Sequence, residues 1–174
     1  MKAIILAAGE WSRLRPLTNT TPKSLTQICG KSILEYTLES IYQHVDEICI
    51  IIKYKAELIQ ETLWESYQWV KIVYHIQWEE PGTGWALKWI EYDVDTLIIY
   101  GDSIFDDRDM KSIIMHRGYG VLVKTVENPE KYGIFSIDED NNIHSIIEKP
   151  QQYIWNLASL WVFKVNSKFF ELNE

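Results

Sequence analysis

Four short stretches of this chain gather residue types that handle phosphates and divalent cations. The first, Leu6 to Ser24, reads LAAGEWSRLRPLTNTTPKS. An apolar strand turns at Gly9, Ser12 offers a hydroxyl, Arg13 a planar fork of donors suited to phosphate, and Lys23, behind Pro22, a compact mobile cation. Loops of this kind bring backbone amides close to an anion, which is why small residues suit them. Arg13, Arg15 and Lys23 cluster in a chain that is acidic overall, which favours phosphate binding over a solvated basic loop. Neither the G-x-x-x-x-G-K-[ST] loop nor the G-x-G-x-x-G fingerprint occurs.

The second stretch is TLIIYGDS, in which Asp102 follows a buried-strand run directly, a position from which a carboxylate can hold a hard cation bridging phosphates. A Gly-Asp after a strand is as commonly a turn or helix cap, so the pair alone leaves both readings open. Asp106, Asp107 and Asp109 suit the first turn of the next helix. In the third stretch, QWEEPGTGWALK, a strand passes through Pro81, Gly82, Thr83 and Gly84 into a helix. Its amides and the Gln77 side chain suit the edge of a base, and Thr83 equally suits an ordinary cap. The fourth, IIEKP, sets Glu148 beside Lys149 at a strand end, where a surface ion pair is the default. The four histidines share no metal-like spacing, and no G-x-S-x-G elbow supports a hydrolase.

The totals set the frame for these residues. A chain of 174 residues, 47% hydrophobic and 24% charged, can bury a core of one domain. Its net charge of -8 and lack of a basic block argue against a nucleic-acid partner. No stretch is long and apolar enough to span a bilayer. Cys29 and Cys49 lack metal-ligand spacing and read as small buried residues, reduced as in cytoplasm.

Positioning falls to alternating elements. Apolar runs at Lys2–Ala8, Glu47–Lys53, Val70–Ile76 and Thr96–Tyr100 read as buried strands. Helix-period segments at 32–42, 55–63 and 86–92 separate them, and a further helix is expected over Asp107–His116. Strands linked by helices make right-handed crossovers, so a three-layer α/β/α sandwich with a mostly parallel mixed sheet follows. Both candidate loops, Gly9–Lys23 and Gly101–Asp107, then leave strand ends on the ligand-binding edge. Beyond residue 117 strands predominate, at 119–126, 132–137, 143–149 and 157–165, with a turn at 140–142. With no linker or repeat, one domain carrying a β-rich extension is expected.

Taken in order, LAAGEWSRLRPLTNTTPKSL, PGTGWALK, YGDS, EKYGIFSID and IIEKP resemble the sugar-1-phosphate nucleotidylyltransferase family over nearly the whole chain. The resemblance implies a Rossmann-like nucleotidyltransferase fold, with a nucleotide-binding half over 1–117 and a sugar-binding half over 118–174. It implies that a sugar 1-phosphate attacks the α-phosphate of a nucleoside triphosphate, UTP or dTTP being favoured by Gln77, with Mg2+ as cofactor. Arg13 would contact the triphosphate, Lys23 the α-phosphate, and Asp102 the magnesium. Leu6, Ala8, Gly9, Trp11, Ser12, Gln77, Gly82, Thr83 and Gly84 would frame the nucleotide. Gly133, Glu148, Lys149 and Ser159 would hold the sugar and its phosphate. Family members often assemble, which leaves a homo-oligomer open. The alternatives are a phosphocholine cytidylyltransferase of the same superfamily and a catalytically silent nucleotide-binding module.

Two departures from the family pattern stand out. The family's catalytic domain continues into a segment with a second metal-binding aspartate, so this chain is expected to be the N-terminal catalytic part of a longer product, the alternative being a chain with an incomplete metal site. Trp11 occupies the second loop glycine of the family signature, and Trp161 a strand position where the family has glycine. Trp85 stands where a small residue is frequent, and Trp64, Trp69 and Trp78 fall between elements. Tryptophan and glycine each occur eight times, against about twelve glycines at average usage. Many of the tryptophans are therefore expected to stand for glycine, as when UGA, one base from GGA, is read as glycine.

Overall fold

The run KAIIL has no polar alternation, so a strand made from it must be covered on both faces. The computed structural model, which describes residues 1–9, 16–78, 86–87, 90, 94–153 and 155–171, builds it as β1 (Lys2–Leu6) inside a parallel sheet. Ala3, Ile4 and Ile5 are at most 1% exposed. Ile4 packs with Ile51 and Ala86 on one face, and Ala3 and Ile5 point to the other by strand alternation. The chain forms two compact units, residues 1–120 with 163–174, and residues 121–162.

In the first unit, β1 is followed by a hairpin of β2 (Gln27–Ile28) and β3 (Lys31–Ser32), then α1 (Ile33–Ile41), β4 (Glu47–Ile52) and α2 (Ala56–Leu63). Next come β5 (Ser66–Tyr67), β6 (Val70–Ile76), β7 (Thr96–Tyr100) and α3 (Asp107–Met115). The strand order is β7-β1-β4-β6-β5. The pairs β1–β7, β1–β4 and β4–β6 are parallel, and β5 lies antiparallel on β6. Helices α1 and α3 touch. Parallel neighbours need crossover connections, and the helical segments between the strands supply them.

The second unit is antiparallel where its pairing is defined. It contains most of β8 (Gly120–Thr125), β9 (Gly133–Ile137), β10 (Ile143–Glu148) and the greater part of β11 (Leu157–Val165). β9 lies between β10 and β11, antiparallel to both, and β8 pairs with β11. Asp138 shapes the β9–β10 turn by accepting from the backbone N–H groups of Asp140 and Asn142. A short α4 (Lys168–Glu171) follows β11 and lies in the first unit.

The strands at 70–76, 96–100 and 157–165 coincide with the spans expected from periodicity, and the others differ by one or two residues at an end. Of the helix expected over 86–92, Ala86 and Leu87 are helical, and residues 88–89 and 91–92 lie outside the described residues. The β2–β3 hairpin was not foreseen. It also corrects the reading of Cys29 as buried: Cys29 and Gly30 form the hairpin tip with φ of 51° and 85°, and the thiol is exposed. Cys49 on β4 is half-buried, and that burial pushes its thiol up to about 11, which leaves it protonated near neutrality.

Helix α1 begins at a reciprocal cap. The Glu35 backbone N–H donates to Ser32 Oγ at 3.2 Å, while the Ser32 N–H and hydroxyl both donate to the Glu35 carboxylate at 2.7 Å. These bonds to the charged form hold Glu35 below its ordinary value. A carboxyl depressed in the folded state stabilises above its unfolded pKa, and that contribution is lost as pH falls through the lower folded value. Ser32→Ala should therefore lower stability by about 1 kcal/mol at neutral pH. Thermal melts of both proteins from pH 7 down to pH 3 should show the gap narrowing at the acid end.

Candidate functional site

The carboxyl edge of the parallel sheet collects several of the sequence-selected residues. Leu6 is in register with Ile51 on one side and Tyr100 on the other. Past the last paired residues, the Ala7 N–H donates to Ile51 O at 2.8 Å, the Gln77 N–H to Ile52 O at 2.9 Å and the Gly101 N–H to Leu6 O at 3.0 Å. Leu6, Ala8, Gly9, Gln77 and Asp102 thus lie at the ends of adjacent strands. At ordinary strand spacing the edge from β7 to β6 is roughly 14 Å long. Leu6 and Ala8 pack against the Ile4, Ile51 and Ala86 cluster, which gives this edge an apolar floor.

Lys23 and Asp102 meet there. Lys23 Nζ donates to Asp102 Oδ2 at 3.0 Å across 79 residues of sequence, and the Ser103 hydroxyl donates to Oδ1 at 3.2 Å. The two side chains are only 19% and 16% exposed, so the charges are largely withdrawn from water and compensate one another. Lys23 stands at the start of a 3-10 turn, Lys23–Leu25, entered through Pro22. Its carbonyl accepts from the Thr26 N–H, and Thr26 O in turn accepts from the Ile33 N–H at the start of α1.

Asp102 is placed by its neighbour. A Cβ on Gly101 would stand 2.9 Å from Ile5 Cγ2 and 3.2 Å from Leu6 O, so only glycine lets the chain leave β7 this close to β1. Sequence reading gave Gly101 only as the start of a loop, and assigned nothing to Ser103 or to a pairing of Lys23 with Asp102. A Gly-Asp-Ser run directly after a buried strand was the available signal.

Among the described residues no three His, Cys, Asp or Glu side chains converge on one point. One carboxylate with an adjacent hydroxyl nevertheless fits Mg2+ held mainly by waters and substrate phosphates, the usual arrangement for a nucleotide-bound ion. Asp102 and Ser103 supply those groups.

The residues expected to take the sugar lie in the second unit, and three of them adjoin. Gly133 and Glu148 are directly opposed on β9 and β10, and a Cβ on Gly133 would stand 2.9 Å from Glu148 Oε2. The same Cβ position is 3.6 Å from Trp161 Cζ2, and the Trp161 N–H donates to Ser159 Oγ at 3.1 Å. Ser159 is buried, while Lys149 lies exposed with Nζ 3.9 Å from Glu148 Oε1. Trp161, which stands where the family pattern has glycine, lies next to Gly133. Trp11, Ser12, Arg13, Gly82, Thr83 and Gly84 lie outside the described residues.

With the fold and these residues in place, comparison with known proteins gives the class. The Nucleotidyl transferase family matches residues 2–173, and the chain belongs to it. It is 41% identical over its full length to the bifunctional protein GlmU of Methanocaldococcus jannaschii. It is also 35% identical, over 98% of its length, to the bifunctional sugar-1-phosphate nucleotidylyltransferase/acetyltransferase of Sulfurisphaera tokodaii. The chain spans 42% of the length of each of these two relatives. A crystal structure from Bacillus anthracis, described as a glucose-1-phosphate thymidylyltransferase in complex with a sucrose, superposes with a TM-score of 0.86 at 26% identity, covering 98% of this chain and 73% of that one. The mostly parallel sheet with helices is the nucleotidyltransferase α/β fold.

Gly101→Ala should force β7 and β1 apart at the edge, an overpacking expected to destabilise by about 1–3 kcal/mol. Chemical denaturation would measure it, and an unchanged midpoint would show that the close approach at Gly101 is not required.

Proposed function

We propose that this chain carries the nucleotidyl-transfer site of an enzyme that joins a nucleoside triphosphate to a sugar 1-phosphate. The observation that carries the reading is the Lys23–Asp102 pair at 3.0 Å, held at the carboxyl edge of the parallel sheet. In the reaction a phosphate oxygen of the sugar 1-phosphate attacks the α-phosphorus in line, the bond from that phosphorus to the β-phosphate oxygen breaks, and pyrophosphate leaves. The nucleoside monophosphoryl group ends on the sugar phosphate as an NDP-sugar. No covalent bond to the protein is needed, so the work of the side chains is positioning and charge compensation.

Lys23 turns its ammonium from Asp102 to the α-phosphate, where negative charge grows in the transition state. Asp102, with Ser103, faces the magnesium side, and Arg13 takes the triphosphate. Magnesium, when bound, neutralises phosphate charge and makes pyrophosphate a better leaving group. Leu6 and Ala8 form the floor under the base, with the Gln77 amide and the loop at 82–84 at its edge. Gly133, Glu148, Lys149 and Ser159 hold the sugar phosphate. UTP or dTTP is the favoured nucleotide, supported by Gln77 and by the thymidylyltransferase likeness. No described helix is long and apolar enough to cross a membrane, and soluble nucleotide and sugar phosphate are the proposed partners.

Pyrophosphate release by the purified protein with Mg2+, UTP or dTTP and glucose 1-phosphate tests the reading. Asp102→Asn keeps the volume and should lower kcat by about 10²–10³, and Lys23→Met should act similarly; each deprives the other charge of this partner, so both should also melt lower, and kcat is compared below either melting transition. Release with CTP and phosphocholine alone would replace the sugar reading. No release from any such pair would remove the enzymatic one.

A further inference from the structure

We infer that the protein is made in its cell with glycine at positions 64 and 161, their codons being UGA decoded as glycine. Trp64 caps the C-terminus of α2 with φ 58° and ψ −149°, a conformation that essentially only glycine adopts without strain. That backbone is fixed from both sides: its N–H donates to Gln60 O at 2.9 Å and its carbonyl accepts the Tyr74 hydroxyl. The indole does not offset the strain, because the residue is 76% exposed. Lys55, at the other end of α2, shows the contrast. Its φ of 51° and ψ of 45° are ordinary left-handed values that a polar side chain tolerates at modest cost.

Trp161 repeats the conflict inside a strand. Its φ of 59° interrupts the nine-residue β11, where a bulky side chain at positive φ is an outlier, and its ring stands against Gly133 beside Glu148. Trp69 and Trp78 are 72% and 80% exposed, although tryptophan is ordinarily among the more buried residues. Glycine at 161 removes the indole from the space next to Gly133 and Glu148. This consequence for sugar-phosphate binding rests on the proposed function, whereas the identity of residues 64 and 161 does not.

Sequencing the gene together with tandem mass spectrometry of the protein from its own cell decides the matter without any activity measurement. UGA at both codons and glycine in both peptides are expected. UGG at either codon, or tryptophan in either peptide, overturns the inference. Stability supplies a second reading on recombinant protein carrying the printed sequence. Trp64→Gly should raise the melting temperature by roughly 3–8 °C, while Trp64→Ala, which keeps a Cβ, should gain less than half of that. Equal gains would show that the backbone at 64 does not call for glycine.

Discussion

The close approach of β7 to β1 is the constraint on which the carboxyl edge of the parallel sheet depends. β1 is hydrogen-bonded on both sides, to β4 and to β7, and its side chains are buried on both faces. A one-residue slip would swap every side chain between the two covered faces and break the packing on both. The Gly101 N–H extends the β7 ladder by one bond onto Leu6 O, and the missing Cβ leaves room for Ile5. Asp102 follows at once, so its carboxylate inherits the rigidity of the most buried strand. Lys23, on a loop anchored through Thr26 to the start of α1, is brought to it across the edge.

This explains which parts of the molecule were legible in the sequence. KAIIL, EICIII and TLIIY are unbroken apolar runs because both faces of the parallel sheet are covered, and their spacing by helical segments fixes the class of fold. The apolar face of Ile33, Leu34, Leu38 and Ile41 made α1 legible by its period, and the Ser32–Glu35 cap that starts it emerged only with the structure. The β2–β3 hairpin left no such trace, since strands of two residues have no period to read, and Cys29 was misplaced with it. Lys23 and Asp102 stood out separately as phosphate and cation chemistry. Their partnership was not legible, because the register of β1 with β7 makes the contact and no local pattern encodes it.

The second unit shows the same limit in another form. Glu148 beside Lys149 looked like an ordinary surface pair, and those two groups are exposed at 3.9 Å. The informative partner of Glu148 is Gly133, fifteen positions earlier by number and directly opposite by register. A glycine beneath a carboxylate is a feature of pairing between strands. It becomes visible only when β9 and β10 are laid side by side, with Ile146 Cδ1 and Trp161 Cζ2 next nearest to that spot at 3.4 and 3.6 Å.

The Lys23–Asp102 pair also bears on how the proposed site stays folded without its charged substrates. Two unpartnered charges at this depth would each carry a desolvation penalty, and together they relieve it. In the proposed reaction both partners are exchanged at once, the carboxylate to a cation and the ammonium to a phosphate, so neither charge is left buried alone. The electrostatic balance is then similar before and after binding, and in this reading the change is confined to the side chains of the pair. Positioning of that kind, set by the rigid end of β7 and the anchored turn at Lys23, is what the proposed transfer asks of a chain with no covalent chemistry to perform.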